Sequence, residues 1–209
     1  MYTVLGASGN TGSVIARKLL AKGEKVRVFG RHIGKLQQFV QRGAEAIVGD
    51  VADAGILTQA LTGARAAYLL IPPGATSQDY RSDQDRTSDV ISTAVKNSGL
   101  QYAVNLSSFG AQVTSGTGPI AGLHAFEQKL NAIDRLNVLH LRAGYFMENH
   151  LNAIGMIQMM GVFAGPLKPD LKIPMIATRD IGGYAAERLL QLDFNGKRTR
   201  NSSATATSP

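Results

Sequence analysis

The chain has no cysteine, which by composition alone excludes disulfides, thiolate zinc sites, iron–sulfur clusters and a cysteine nucleophile. No apolar run approaches the ~20 residues that a membrane-spanning helix needs. Met1 leads straight into Tyr2-Thr3-Val4-Leu5 with no basic-then-apolar leader, so a soluble, cytoplasmic protein with no membrane partner is expected. Proline is sparse, at 7 residues against 23 glycines, and 44% hydrophobic with 18% charged residues is a globular balance that excludes a collagen-like or disordered chain. With 209 residues, one cored domain with at most a small appendage is expected. The net charge of +7 lacks the clustered Lys/Arg stripe with interleaved aromatics that nucleic-acid binding requires. No nucleic-acid partner is expected, and the charge suits an anionic small ligand or carries no functional meaning. His32, His140 and His150 have no metal-ligand spacing, so no metal is expected.

What is present is a rhythm. Short apolar runs at Tyr2–Leu5, Lys25–Phe29, Ala44–Val48, Ala66–Ile71, Tyr102–Leu106 and Val138–Leu141 alternate with amphipathic stretches, among them Thr11–Lys22, Ala54–Leu61 and the one ending at Ser98. The fold class this predicts is α/β, a Rossmann-type doubly wound parallel sheet with helices on both faces. After Leu141 the rhythm loosens. Tyr145–Met160 reads as a Met-rich helix, Gly161–Pro174 as irregular, and Ile181–Leu192 as a last helix capped by Asp180 or Thr178. The expected organisation is a nucleotide-binding domain over 1–142, a small substrate-covering part over 143–196 and a disordered tail over 197–209.

Gly6-Ala7-Ser8-Gly9-Asn10-Thr11-Gly12 follows the first strand and opens the first helix, the context of a dinucleotide fingerprint. Gly6 permits the tight turn, Gly9 the approach of a pyrophosphate, and Gly12 close helix–strand packing. The N–H groups of Asn10, Thr11 and Gly12 would face the anion, and Ser8 and Thr11 could add hydroxyl donors. No Gly-Lys-Ser/Thr follows, so this is not a Walker loop. The second strand ends in Phe29-Gly30-Arg31-His32, without the acid that would hold a ribose 2′-hydroxyl. Arg31, backed by Lys35, suits a 2′-phosphate and favours NADPH, with NADH weaker, unless Arg31 is an ordinary exposed helix start. Asp50 and Val51 close the third strand and either hold the adenine or cap the next helix. Ile71-Pro72-Pro73 ends the fourth strand as a rigid wall for the nicotinamide or as a plain loop stop.

In these landmarks the chain resembles the NmrA-like atypical short-chain dehydrogenase/reductases, particularly the NAD(P)H-dependent quinone and azo reductases. The likeness extends over residues 2–195 through Asn105-Leu106-Ser107-Ser108, Leu141-Arg142-Ala143-Gly144-Tyr145-Phe146-Met147-Glu148-Asn149 and Thr178-Arg179-Asp180-Ile181-Gly182. Ala143 stands where that family often has Pro. The resemblance implies a nucleotide bound across the carboxyl edge and a substrate cover after the sixth strand. It also implies further strands beyond Asn195-Gly196, so the basic and then Ser/Thr/Ala-rich end reads as an early or altered one, or as a compact variant.

No tyrosine has a lysine four residues on, so the proton relay of ordinary short-chain dehydrogenases is absent. The resemblance places His124 nearest the nicotinamide, where it either donates a proton or is a half-buried histidine bonded to a carbonyl. Quinone or azo reduction asks only for positioning of the acceptor, because the hydride comes from the nucleotide. Ser107 and Ser108 would anchor nicotinamide or substrate, or merely turn the chain. Phe146, Met147 and Asn149 would line the pocket or pack in the core. Two functions follow as expectations: an NADPH-dependent reductase of a small quinone-like or azo electron acceptor, or a silent NADP(H)-binding redox sensor that docks on a protein partner.

Overall fold

The computed structural model describes residues 1–73, 79–163, 165, 168 and 170–203. Its strands are β1 (Tyr2–Leu5), β2 (Val26–Gly30), β3 (Glu45–Val48), β4 (Ala66–Leu69), β5 (Tyr102–Ser108), β6 (Asn137–Ala143), β7 (Tyr145–Phe146), β8 (Met175–Ile176) and β9 (Lys197–Ser202). The helices are α1 (Asn10–Ala21), α2 (Ile33–Val40), α3 (Ala54–Leu61), α4 (Tyr80–Ser98), α5 (Ile120–Asn131), α6 (Ile154–Met160) and α7 (Thr178–Gln191). Seven strands form one parallel sheet in the order β3-β2-β1-β4-β5-β6-β9, which is the doubly wound arrangement, and β7 pairs with β8 apart from it. The order reverses between β1 and β4, where open α/β sheets hold ligands beyond their carboxyl ends.

Period-two alternation splits each strand between two cores. Tyr2, Val4 and Tyr68 face Ile15 and Leu19 of α1, Phe39 of α2 and Leu189 of α7. Leu5, Ala67 and Leu69 face Leu57 of α3, Ile91 of α4 and Phe126 of α5. Both faces are therefore covered, and the central strands β1 and β4 read as nearly continuous apolar runs. The α1–α7 contact is close: a Cβ on Gly182 would lie 2.7 Å from Val14 Cβ and 2.8 Å from the Thr11 carbonyl oxygen.

Four expectations need correcting. The stretch Tyr145–Met160 is not one helix: it divides into β7, a 3-10 turn over Met147–Ala153, and α6. Neither Asp180 nor Thr178 caps α7. Its N-cap residue is Ala177, and the carboxylate of Glu148, in the 3-10 turn, accepts the Thr178 N–H at 2.9 and 3.0 Å and the Thr178 hydroxyl at 2.7 Å. Although burial would raise its pKa, these hydrogen bonds hold the Glu148 carboxyl below the ordinary value. The segment expected to be a disordered tail supplies β9, whose six residues pair in register from Val138↔Lys197 to Ala143↔Ser202. None of the β9 side chains is fully buried, so it is held by its ladder to β6 and by Lys197 donating to the Ile133 and Leu136 carbonyls. A polar edge strand carries no hydropathy signal. Residues 204–209 of that expected tail lie outside the described residues. The covering part expected over 143–196 is also divided, because α7 returns to pack on α1 within the main body.

Candidate nucleotide site

Parallel strands bring their carboxyl ends to one edge, and the glycine loop stands there at the tip of β1. Gly6 has φ +61°, a conformation L side chains rarely adopt, and the Gly9 N–H closes the turn on the Gly6 carbonyl at 2.9 Å. A Cβ on Gly12 would lie 2.3 Å from that same Gly6 oxygen, so only glycine lets α1 start this close to the strand. Ser8, Gly9 and Asn10 are exposed, and α1 has neither a capping side chain nor an acid in its first turn. Its amino end thus presents N–H groups to any anion at the edge.

Thr11 does less than expected. It is buried, and its hydroxyl accepts from Tyr68 Oη at 2.9 Å beneath the loop, so its part in anion binding reduces to its backbone N–H. Burial pushes the Tyr68 phenol well above its ordinary pKa, partly offset by this bond, so Tyr68 remains a neutral donor. Arg31 and Lys35 are exposed at the tip of β2 and the start of α2, and no ion pair among the described residues engages either. Asp50 is exposed and accepts the Ala52 N–H at 2.9 Å, whereas Asp53 caps α3 by accepting from Gly55 and Ile56. Asp50 is thus not the cap of that helix.

Val51, Ile71 and Pro72 converge on one cavity of about 360 Å³, shared with Tyr80, Gln84 and Val90 of α4. Its volume is that of a small ligand pocket, and its lining is mixed, because Asp83, Arg86 and Thr87 of α4 also reach it. The α4 residues were missed in the sequence, where the acidic and basic residues of Asp79–Asp89 masked the face that Tyr80, Gln84 and Val90 turn inward.

At the tips of β5 and β6 the expected anchors turn elsewhere. Ser107 is buried and donates to Glu127 Oε1 at 2.5 Å, while Ser108 Oγ donates to the neighbouring Phe109 carbonyl at 3.2 Å. Ser107 therefore does not face the edge as a free hydroxyl. His124 is half-buried, with Nδ1 2.8 Å from the Ala111 carbonyl oxygen. Nδ1–H is accordingly the donor, and Nε2 carries a proton only in the imidazolium. Phe146 packs with Ala143, Ile176 and Ile181 in a small core, while Met147 and Asn149 are exposed on the 3-10 turn. No cluster of metal-ligating side chains occurs among the described residues, and no helix among them is long and apolar enough to cross a membrane.

The residues present fit a dinucleotide: an uncapped helix start behind three close-packed glycines, a cavity beyond β3 and β4, and two unpaired cations where a 2′-phosphate would lie. Comparison with known proteins agrees in fold. A model of the NmrA-like family matches residues 2–208. An NAD(P)H azoreductase of Xenophilus azovorans is 25% identical over 189 residues, which is 90% of this chain and 63% of that protein's length. The structure is similar to the NADPH-dependent quinone oxidoreductase of Escherichia coli solved with NADPH, at TM-score 0.81 and 22% identity over 97% of this chain and 69% of that one. It is also similar to an anaerobillin reductase from Escherichia coli O157:H7, at TM-score 0.67 and 16% identity, with 100% of this chain and 98% of that chain covered.

Proposed function

The chain belongs to the NmrA-like family, and from that premise we propose that it is an NADPH-dependent reductase of a small quinone-like or azo acceptor. The observation that carries the reading is the edge itself: the loop Gly6–Gly12, with no acid or side-chain cap at the start of α1, stands beside Arg31 and Lys35 at the tip of β2. The azoreductase and quinone oxidoreductase relatives favour this acceptor class.

The Asn10, Thr11 and Gly12 N–H groups and the Ser8 hydroxyl bind the pyrophosphate, and the Thr11 hydroxyl holds the loop from below through Tyr68. Arg31, with Lys35 one turn on, takes the 2′-phosphate and sets the preference for NADPH over NADH. Asp50 and Val51 at the end of β3 hold the adenine side of the nucleotide, and Ile71 and Pro72, which share a cavity with Val51, form the wall toward the nicotinamide. When bound, NADPH would supply the hydride, and an acceptor that takes this hydride and one further proton becomes a hydroquinone or hydrazo product, leaving NADP+. His124, with Nδ1–H committed to Ala111, delivers that proton from Nε2 when the ring is charged; otherwise the proton comes from solvent. Met147 and Asn149 offer an apolar and a polar contact to the acceptor from the arm beyond β6, while Phe146 supports that arm from its core.

The experiment is a panel of quinones and azo dyes offered with NADPH and with NADH, with nucleotide affinity measured in parallel. Turnover with NADPH supports the reading. Tight NADPH binding with no turnover on any acceptor overturns it in favour of a redox sensor.

A further inference from the structure

Glu127 is the one acidic side chain among the described residues that is fully buried, at 1% exposure, and it lies beneath the carboxyl edge. Ser107 Oγ donates to its Oε1 at 2.5 Å; Arg142 donates through Nε to Oε1 at 2.9 Å and through Nη2 to Oε2 at 2.5 Å. Ser107 and Arg142 face each other in the β5–β6 register, so one carboxylate on α5 clamps neighbouring strands at the same level, just before their tips. Elsewhere along α5, Gly122 meets Gln84 of α4 so closely that a Cβ would lie 2.1 Å from Gln84 Oε1, and His124 is tied to Ala111 at 2.8 Å. Glu127 follows His124 by three residues and so shares its side of the helix.

A buried ion pair is a poor way to gain stability, because an apolar side chain of similar volume would fill the space without desolvating two charges. What the planar fork of Arg142 gives that packing cannot is direction, since two parallel N–H···O bonds fix an angle as well as a distance. Ser107 adds a third constraint, and its only proton is spent on it.

We infer that Glu127 is a positioning residue: through Ser107 and Arg142 it fixes the rotation of α5 against the tips of β5 and β6, and so holds His124 with Nδ1–H on Ala111 and Nε2 at the edge. The kinetic part of this rests on the reductase reading above; the geometric part does not.

The test compares Glu127→Gln and Ser107→Ala with the parent protein. The readouts are NADPH affinity by fluorescence titration, the His124 imidazole signals by nitrogen-correlated NMR, and kcat and KM with 1,4-naphthoquinone. In Glu127→Gln the NADPH affinity stays unchanged, the His124 Nδ1–H signal shifts or exchanges faster, and kcat falls roughly tenfold to a hundredfold with little change in KM, as misplacement of about an ångström produces. Ser107→Ala moves the same readouts less, and the double variant is no worse than Glu127→Gln alone. Unaltered His124 signals and kcat in folded variants overturn the inference. So does loss of NADPH affinity in step with kcat, which is what general damage to the fold would give. A parent protein inactive on this quinone and on every other quinone and azo dye of the panel defeats the reductase reading, and the His124 signals then decide the positioning by themselves. Should Glu127→Gln fail to fold, Ser107→Ala is read by the same criteria.

Discussion

Arg31 sits in the open at the tip of β2, so its guanidinium is available to a ligand at no cost in broken ion pairs. Arg31→Ala is expected to weaken NADPH by about 1.5–3 kcal/mol, the worth of a charge-assisted hydrogen bond, and to leave NADH nearly unchanged. Titrating both nucleotides checks it, and equal affinities in the parent protein would contradict the assignment. His140 makes the opposite use of burial. At 1% exposure, its Nδ1 accepts from Asn105 at 3.1 Å and its Nε2–H donates to Asn131 Oδ1 at 3.0 Å. Burial first, opposed by Glu127 and reinforced by Arg142 and Lys197, lowers its pKa to about 4. The unfolded chain takes up this proton near the ordinary value of ~6.5 while the folded chain waits until about 4, so more protons bind the unfolded state in between. Stability therefore falls by up to about 3 kcal/mol as the pH drops through that window, and is fully present above it. Guanidinium unfolding at about pH 7 and about pH 4.5 reads the difference, and His140→Gln should flatten it. An unshifted midpoint in the parent protein would contradict the shift.

Elements differ in how openly the sequence announces them. β1 and α3 match their sequence-based bounds to the residue, because a β-prone, mostly apolar run ends at Gly6 and Asp53 caps the helix with its own carboxylate. The glycine loop was legible for the same reason: turn, close approach and helix start each demand a glycine at a fixed position. β9 was not, since Lys197–Ser202 holds no apolar residue and its pairing with β6 is a backbone matter. The Thr11–Tyr68 bond and the Ser107–Glu127–Arg142 clamp join residues far apart in sequence, and pattern reading along one chain sees neither; the available hint was an acid on the α5 face that also carries Phe126 and Leu130. Two expectations belong at this scale. Gly9→Val should fold yet lose NADPH, because Gly9 is exposed at the edge with an extended backbone open to any residue, and the one tight contact of a Cβ there, 3.2 Å from the Gly6 carbonyl oxygen, strains only the loop. Undiminished affinity by calorimetric titration, with intact circular dichroism, would reduce the loop to a turn. Ending the chain at Asn195 removes β9 and bares the apolar β6 edge, which should cost roughly 3 kcal/mol in lost ladder bonds and promote aggregation. An unchanged thermal midpoint would show that β9 adds nothing.

Over the whole molecule, burial is uneven in a way that bears on function. The sheet and its helices close two cores, while α6 buries none of its residues, and Met159 and Met160 are 85% and 68% exposed beside Phe163 at 58%. An apolar arm of that kind next to a ligand edge either meets the acceptor or finds another surface. Concentration-dependent self-association is expected, and Met159→Glu with Met160→Glu should suppress it; light scattering from a single monomeric species at every concentration would contradict this. The nucleotide edge draws on β1 to β4, their loops and the start of α4, and on nothing from the arm, so NADPH should bind whatever the arm does. The central claim is that this edge delivers a hydride from NADPH to a small acceptor. Its most direct measurement is the loss of reduced-nicotinamide absorbance when the protein is mixed with NADPH and a quinone, compared with the same mixture containing Gly9→Val. Enzyme-dependent oxidation in the parent protein, absent from Gly9→Val and slower with NADH, is the result predicted. Oxidation at the same rate in both proteins, or none in the parent across quinones and azo dyes, would contradict it.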